Sequence, residues 1–487
     1  VGDGTSGSGA NRNAPVRVKV SSSQTLDDVV ATAGGTSHSL AVQGDPAGGG
    51  TVWAWGANGS GQLGNGGTTP SSYAVQVQKD GGGFLTGVVA VAAGESHSLA
   101  LDKDGQVWAW GSNASGQAGN GMTTGYFTKA VQVLQVNPAA NLTDVVAIAA
   151  GAAHCLALKK DGTVWAWGSD SDGQLGDGSS GTLQRKAQNV PSLLGVGAIA
   201  ARHYSSYAIR TDGSRGGNVW AWGRNGDKQL GDGSTDVRLV PVRVLAGAVG
   251  VSAGLYHGLA LKDDGLGSTV LWGWGSNASG QLGIGRTTIE GGDGTLITSV
   301  PRPLATSLRD VIVAVGGERH SLAALRDGTL RAGGWNNYGQ LGLGSGSPST
   351  TDELLVVPGF QIVDATWALG DPDGDGLTTG REWRLGTDPL VADSNADGIA
   401  DEAALASGRS ATEMDADGDG IMNADEIANG TNPFAADTDG DGVPDNLDCF
   451  PLDPTRSTCP PAVPGDVTPP TIALGEPTDA VLISSVP

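Results

Sequence analysis

No apolar run in this 487-residue chain approaches the ~18 residues of a transmembrane helix, so no helical membrane span is expected within it. Basic residues are scarce, with 28 Lys+Arg against 51 Asp+Glu and a net charge of −23. That balance argues against nucleic acid or an anionic membrane as a partner. Glycine is abundant, at 81 residues, but it has no period of three and proline is only 23, which excludes collagen. Tyr and Phe are few, 6 and 5, while Trp reaches 13. So many Trp argue against a disordered chain and point to a recurring motif. The chain opens at Val1 without a basic stretch followed by an apolar one. A signal peptide is therefore either absent from this sequence or already removed.

The charge is unevenly spread. Residues 1–364 hold 24 Lys+Arg and 27 Asp+Glu, net −3; residues 365–487 hold 4 and 24, net −20. The step places a domain boundary near residue 365.

Within the first part the string Trp-Ala-Trp-Gly occurs at Trp53–Gly56, Trp108–Gly111, Trp165–Gly168 and Trp220–Gly223. Trp272-Gly-Trp-Gly275 is a variant, and Arg331-Ala-Gly-Gly-Trp335 a degenerate sixth copy. Upstream, a histidine recurs, with the expectation of one equivalent position in a G-x-x-H setting: His38, His97, His154, His203, His257 and His320. Downstream lies G-Q-L-G-x-G, as in Gly61–Gly66. Each unit reads as short strands. Val88–Ala93 is followed by Ser98–Leu101, a turn at Asp102–Gly105, and Val107–Trp110. Asp-Gly between apolar runs is a hairpin signal. Trp108 and Trp110 are two apart and so share one face. Sheets of this kind bury both faces by radial stacking, and a period near 50 residues suggests propeller blades.

These motifs resemble the regulator of chromosome condensation repeat, over roughly residues 1–364. The resemblance implies an all-β, seven-bladed β-propeller. Six full repeats are counted. Val1-Gly-Asp-Gly-Thr5 and Pro15-Val-Arg-Val18 resemble the tail half of a repeat, as in Leu230–Ser234 and Pro241–Val244, while Gln361–Ala365 resembles the start of one. A fragment that began upstream is the reading, with a six-bladed or incomplete ring the alternative. The histidines read as structural groups bonding a neighbouring blade, and the Trp pairs as inter-blade core. No His stands outside the repeats, so a catalytic triad has no support and no enzymatic role is expected. The family includes exchange factors for small GTPases, secreted inhibitors of hydrolases and bacterial surface proteins, so the fold alone does not fix function. Arg286–Pro301 is a candidate inserted loop. Tyr73, Phe84, Tyr126 and Phe127 are candidate partner-binding aromatics in other loops.

The acidic part carries four loops starting 22 residues apart. Alternate carboxylates on a tight turn converge on calcium, which takes six to eight oxygens. The first loop offers Asp371, Asp373, Asp375, Leu377 (by its carbonyl), Thr379 and Glu382. The second offers Asp393, Asn395, Asp397, Ile399 and Asp401; the third Asp415, Asp417, Asp419, Ile421, Asn423 and Glu426; the fourth Asp437, Asp439, Asp441, Val443, Asp445 and Asp448. Loops one and three meet the full D-x-[DN]-x-[DN]-G-x₅-E pattern. Loop two has Ala404 at position 12 and is the weakest. Segments 382–389 and 426–433 read as short helices ended by Gly and Pro.

Loops two and four resemble the thrombospondin type 3 repeat, which implies an elongated calcium-stiffened stalk over 365–460 with little regular structure. Cys449 and Cys459 follow the last loop, and the same resemblance implies a local disulfide between them; two reduced thiols stay open as the alternative. Cys155 reads as a small buried thiol. Residues 461–487 resemble a linker and the first strand of an immunoglobulin-like module. The whole reads as a secreted or cell-surface binding protein whose propeller face takes a protein or glycan partner. The alternatives are a regulator of a small GTPase and an inhibitor of a secreted hydrolase.

Overall fold

The computed structural model describes residues 2–361, apart from 7–10, 45–48, 123, 138, 192, 211–215, 265–267, 285–296 and 305–307. In the acidic part it describes 375–377, 392–395, 398–406, 415, 417–448 and 450–456. The chain divides into two compact units, Val1–Asp364 and Ala365–Pro487.

The first unit contains six four-stranded antiparallel blades among the described residues. Blade 1 is Val29–Gly34, His38–Gly44, Gly50–Gly56 and Ser71–Gln76. Blade 2 is Val88–Ala93, His97–Asp102, Val107–Ser112 and Tyr126–Gln132. Blade 3 is Val145–Ala150, His154–Lys159, Val164–Ser169 and Leu183–Asn189. Blade 4 is Val196–Arg202, Ser205–Arg210, Gly217–Gly223 and the first part of the long strand Arg238–Ala253. The rest of that strand opens blade 5, with His257–Asp263, Thr269–Ser276 and Ile297–Pro303. Blade 6 is Val311–Gly316, His320–Leu325, Thr329–Trp335 and Thr350–Gln361. The Asp-Gly turn forms as expected, with Gly105 N–H bonded to Asp102 O at 3.0 Å.

The N-terminal stretch supplies the outer segment of a seventh blade. The Gly66 amide of blade 1 bonds Thr128 O in blade 2, and Gly233 bonds Ser299 O one blade on; Gly344 of blade 6 likewise bonds Asn13 O at 2.7 Å. On its other side, a Cβ on Gly2 would meet the Trp55 indole at 2.9 Å, as one on Gly64 would meet Trp110. Asp3 also holds Arg12 at 2.7 Å, the counterpart of Asp232 and Arg238 at 2.5 Å. The likeness of Val1–Thr5 to a repeat's tail half is thus a likeness of position.

The blades are joined by a recurring polar joint. His38 Nε2 lies 2.9 Å from Ser98 Oγ of the next blade, and that hydroxyl donates to Gln62 O at 2.9 Å. Since the Ser proton is spent on Gln62, Ser98 accepts from the ring, so His38 is the Nε2–H tautomer. The indole of Trp110 donates to the same Gln62 carbonyl at 2.9 Å. Joints of this design recur at His154–Ser206–Gln174, with Trp222 on the same carbonyl, and at His257–Ser321–Gln281. The second Trp of each pair is core: Trp110, Trp167, Trp222 and Trp274 are all buried. The first is only partly buried, and Lys159 and Lys262 lie over Trp165 and Trp272. Of each pair, then, only the second is fully inter-blade core.

His203 departs from the expected equivalence. Residue 200 is Ala, so the G-x-x-H setting is absent in the fourth repeat. Register pairs Ser205 with Gly223 where the other blades pair His with Gly, as in His97 with Gly111. Ser205 therefore holds the histidine's place, and Arg202 that of the glycine. Blade 5 compensates. With no imidazole to meet, its Ser position is Gly258, and Tyr207 OH takes the Gln229 carbonyl at 2.6 Å beside Trp274.

Candidate functional site

In the acidic unit, the third and fourth loops are described most fully. Asp415 Oδ1 accepts from Gly418 N–H at 2.9 Å and its Oδ2 from Gly420 N–H at 3.2 Å. Asp437 takes Gly440 and Gly442 in the same way, both at 2.8 Å. Position 6 turns left-handed, with φ +97° at Gly420 and +96° at Gly442, a region glycine enters without strain. The carboxylates of Asp415, Asp417 and Asp419 converge, as do those of Asp437, Asp439 and Asp441.

Glu426 completes the third loop. It sits in the helix Asn423–Asn429, which Gly430 ends in the left-handed conformation. Its side chain is fully buried, and neither carboxylate oxygen has a partner. Burial first, then the charges of Asp417, Asp419, Asp445 and Asp415, push its carboxyl up to about 8. Asp417 is pushed up too, by burial first. One unpaired oxygen also remains on each of Asp417, Asp439, Asp441 and Asp448. Such a carboxylate set is unfavourable without a cation and suits a hard divalent ion. Asn423 and Asp448 are buried at the expected positions 9 and 12, while Ile421 and Val443 are part-buried.

Asp445 has a different setting from its loop fellows. It is buried, accepts from Thr438 N–H and Oγ–H at 2.9 and 2.6 Å, and acts on Glu426. Asn446 N–H meets Asp419 Oδ2 at 3.3 Å, so the fourth loop closes over the third. The first pair of loops shows the same plan. Asp401 accepts from Ser394 N–H and Oγ–H, and Glu402 N–H meets Asp375 Oδ2 at 3.1 Å. Leu377 and Ile399 are buried, and Asp393 accepts from Gly398 N–H. Asn395 is part-buried. Asp371, Asp373, Thr379, Glu382, Asp397, Cys449 and Cys459 lie outside the described residues, as do 286–296 of the insertion and all of 461–487.

On the propeller, the four aromatics expected at a binding surface sit toward the outer strands of blades 1 and 2. Phe84 and Tyr126 are half exposed, Phe127 part-buried, and Tyr73 packs beside Gly4. Among the described residues no ring contact joins them. A second aromatic group lies at the turn between first and second strands of blades 4 to 6. The rings of His203 and Tyr204 are 4.1 Å apart, His203 and Tyr256 6.4 Å, and Arg319 lies 5.5 Å over Tyr256. His203 has φ +50°, uncommon for a non-glycine residue. Arg202 donates to Gly34 O of blade 1 at 3.0 Å. The signal in the sequence was the broken G-x-x-H of the fourth repeat, which spacing alone hid.

The RCC1-like domain family matches residues 1–368, and the bacterial TSP3 repeat matches 371–392 and 415–436. The chain is 32% identical to the ultraviolet-B receptor UVR8 of Arabidopsis thaliana over 347 residues, 69% of this chain and 71% of that protein. It is 31% identical to the human E3 ubiquitin-protein ligase HERC2 over 265 residues, 53% of this chain but only 5% of that protein. The solved structure of Prp20p from Saccharomyces cerevisiae matches with TM-score 0.56 and 23% identity, covering 68% of this chain and 76% of that one. Human WBSCR16 matches with TM-score 0.55 and 22% identity, covering 68% and 82%. The chain belongs to the RCC1-like domain family.

Proposed function

We propose that this RCC1-like chain is an extracellular binding protein, with the propeller as its protein-recognition head and the TSP3 repeats as a calcium-stabilised spacer. The observation that carries the reading is Glu426, buried with both oxygens unpaired beside Asp415, Asp417 and Asp419. A calcium ion there takes the two oxygens that protein groups leave open and offsets the mutual repulsion. Asp415, Asp417, Asp419 and Glu426 would hold one ion, and Asp437, Asp439, Asp441 and Asp448 another. Weak sites of this type fill at the millimolar calcium found outside cells. A net charge of −20 over residues 365–487 makes the metal-free repeats self-repelling.

The head is read as binding rather than catalytic. Each histidine of the repeat joints serves a neighbouring blade through Nε2 in the joints at His38, His97, His154 and His257. Burial holds the rings neutral, at about 3 to 4. The alternatives read from the sequence, a GTPase regulator or a hydrolase inhibitor, rest on family breadth and, for the first, on the candidate insertion Arg286–Pro301.

Two measurements test the proposal. Calorimetric titration of the full chain is expected to show calcium binding at or below about 1 mM, with a gain in protease resistance of the acidic part. Antibody to the propeller is expected to label intact native cells and to lose that signal to external protease. Signal appearing only after lysis would overturn the extracellular reading, and flat calcium heats would overturn the spacer.

A further inference from the structure

We propose that the turn face of blades 4 to 6 is the partner-binding half of the propeller and that it takes an acidic protein segment. The inference rests on the binding-head reading above and names its face and its partner's chemistry.

Equivalent positions in the repeats allow a direct comparison. In blades 1 to 3 the two residues before the joint histidine are Thr36-Ser37, Glu95-Ser96 and Ala152-Ala153. In blades 4 to 6 the same turn carries His203-Tyr204, Leu255-Tyr256 and Glu318-Arg319. The residue at the end of the third strand lies alongside, its amide bonded to the turn's last carbonyl. It is Ala57, Ser112 and Ser169 in the first three blades, and Arg224, Ser276 and Trp335 in the others. Trp335 in turn meets Tyr338 edge-on at 5.2 Å. One half of this face is thus small and neutral but for Glu95, and the other is aromatic and cationic but for Glu318.

The fold does not require the large residues, because blades 1 to 3 make the same turns with small ones. Nor does burial account for them. Tyr338 is 60% exposed and the Arg319 side chain 47%. Tyr338 and Arg319 are exposed and Trp335, Tyr204 and Tyr256 part-buried, and Tyr, Trp and Arg are the residue types that dominate binding energy at protein interfaces. In this half Arg202 and Arg319 lie near Glu318, while Arg224, Arg202 and Asp172 act on His203. The guanidinium of Arg319 over the Tyr256 ring is held in a fixed direction, which favours a bidentate bond to a carboxylate. Arg202, bonded to Gly34 O across to blade 1, fixes the floor of the patch and is not offered to the partner.

The test is a phage-displayed library of random dodecapeptides panned on the immobilised full chain, with selected peptides measured by fluorescence anisotropy. The expected peptides are enriched in Asp and Glu. Arg319→Ala and Tyr338→Ser, both at exposed positions, are expected to weaken them at least about tenfold. Glu95→Ser, on the same face in the other half, is expected to leave affinity within about twofold. Circular dichroism and Trp fluorescence check that each variant folds. Peptides without acidic enrichment, no enrichment at all, or equal binding by Arg319→Ala would overturn the proposal. Peptides that bind with unchanged affinity to both variants leave the binding-head reading standing and remove only this face. No enrichment at all would count against the binding-head reading as well.

Discussion

His97 of blade 2 places its Nε2 3.2 Å from the Sγ of Cys155 in blade 3, where the neighbouring joints use serine. The thiol also points to Gln117 O at 3.7 Å, and Trp167 bonds that carbonyl at 2.9 Å. Burial pushes the Cys155 thiol well up, so it stays protonated and acts as a weak member of the joint. Cys155→Ser is expected to match or exceed the parent's stability, because the hydroxyl gives shorter bonds to the same partners. Cys155→Ala leaves His97 Nε2 buried without a partner and is expected to cost about 1–3 kcal/mol. Urea unfolding of both variants checks this; equal loss in the two would show that the polar joint contributes nothing.

The joint histidines make the propeller acid-sensitive. Their folded pKa values lie near 3 for His97, His154 and His257 and near 4 for His38 and His320, below the ordinary 6.5 chiefly through burial. Below pH 6.5 the unfolded chain takes up protons that the folded one refuses. Their contribution is fully present above pH 6.5 and is lost as pH falls toward 4 and 3. Unfolding free energy measured in urea should be flat from pH 8 to 7 and fall steeply between 6.5 and 4.5. A flat profile down to 4.5 would contradict the buried neutral rings.

Gly94 precedes that histidine by three residues, and the ring folds back over it. A Cβ there would overlap His97 Cε1 and lie 2.5 Å from Gly151 O of the next blade. Because backbone on one side and a buried ring on the other cannot yield, Gly94→Ala is expected to destabilise by about 3 kcal/mol or more. Thermal unfolding reads it out, and a loss below about 1 kcal/mol would refute the packing argument.

Asp170 stands where the other blades have Asn. Each of these residues caps its loop, accepting a backbone N–H five residues on, as Asn113 does from Ala118 and Asp170 from Leu175. Burial, with Asp177 nearby, pushes the Asp170 carboxyl up to about 6. A raised folded value means stability fully present below the ordinary 3.8 and lost progressively as pH rises to about 6. Asp170→Asn is therefore expected to raise the melting temperature by about 1–3 °C at pH 7.5 and by roughly half of that at pH 5. A gain of the same size at both pH values would assign the effect to something other than charge.

Glu426→Gln keeps the size of the side chain and removes its charge. Calcium affinity of the third loop is expected to fall at least about tenfold, since a bidentate carboxylate at position 12 is lost. In metal-free buffer the same variant is expected to be as stable or more so, because folding no longer has to protonate a carboxyl buried among Asp417, Asp419 and Asp445. Calorimetric titration and metal-free melting, run side by side, check the opposite signs. Unchanged calcium affinity would remove Glu426 from the site.

Periodicity made the blades legible. Trp-Ala-Trp-Gly, the Asp-Gly turns and the 22-residue spacing of acidic loops each encode a local geometry in adjacent residues. Those are the interactions a sequence displays, because turn chemistry and strand alternation act over a few positions. The split between a near-neutral propeller and a highly acidic repeat region was readable for the same reason: charge needs no fold to be counted. Partner identity at long range was not readable. That the proton of Ser98 goes to Gln62, forcing the His38 tautomer, depends on residues 36 and 60 positions apart. That Ser205 replaces a histidine while Gly258 and Tyr207 adjust in step is a matter of strand register, which sets who faces whom across two blades. Asp445 illustrates the limit in the acidic part: spacing assigns it to the fourth loop, while chain reversal turns its charge toward Glu426 of the third. Sequence by itself determined the repeats, their turns and the ligand chemistry. Tertiary structure decided the joints between blades and the uneven halves of one face, because both arise where chain segments remote in sequence are brought into contact.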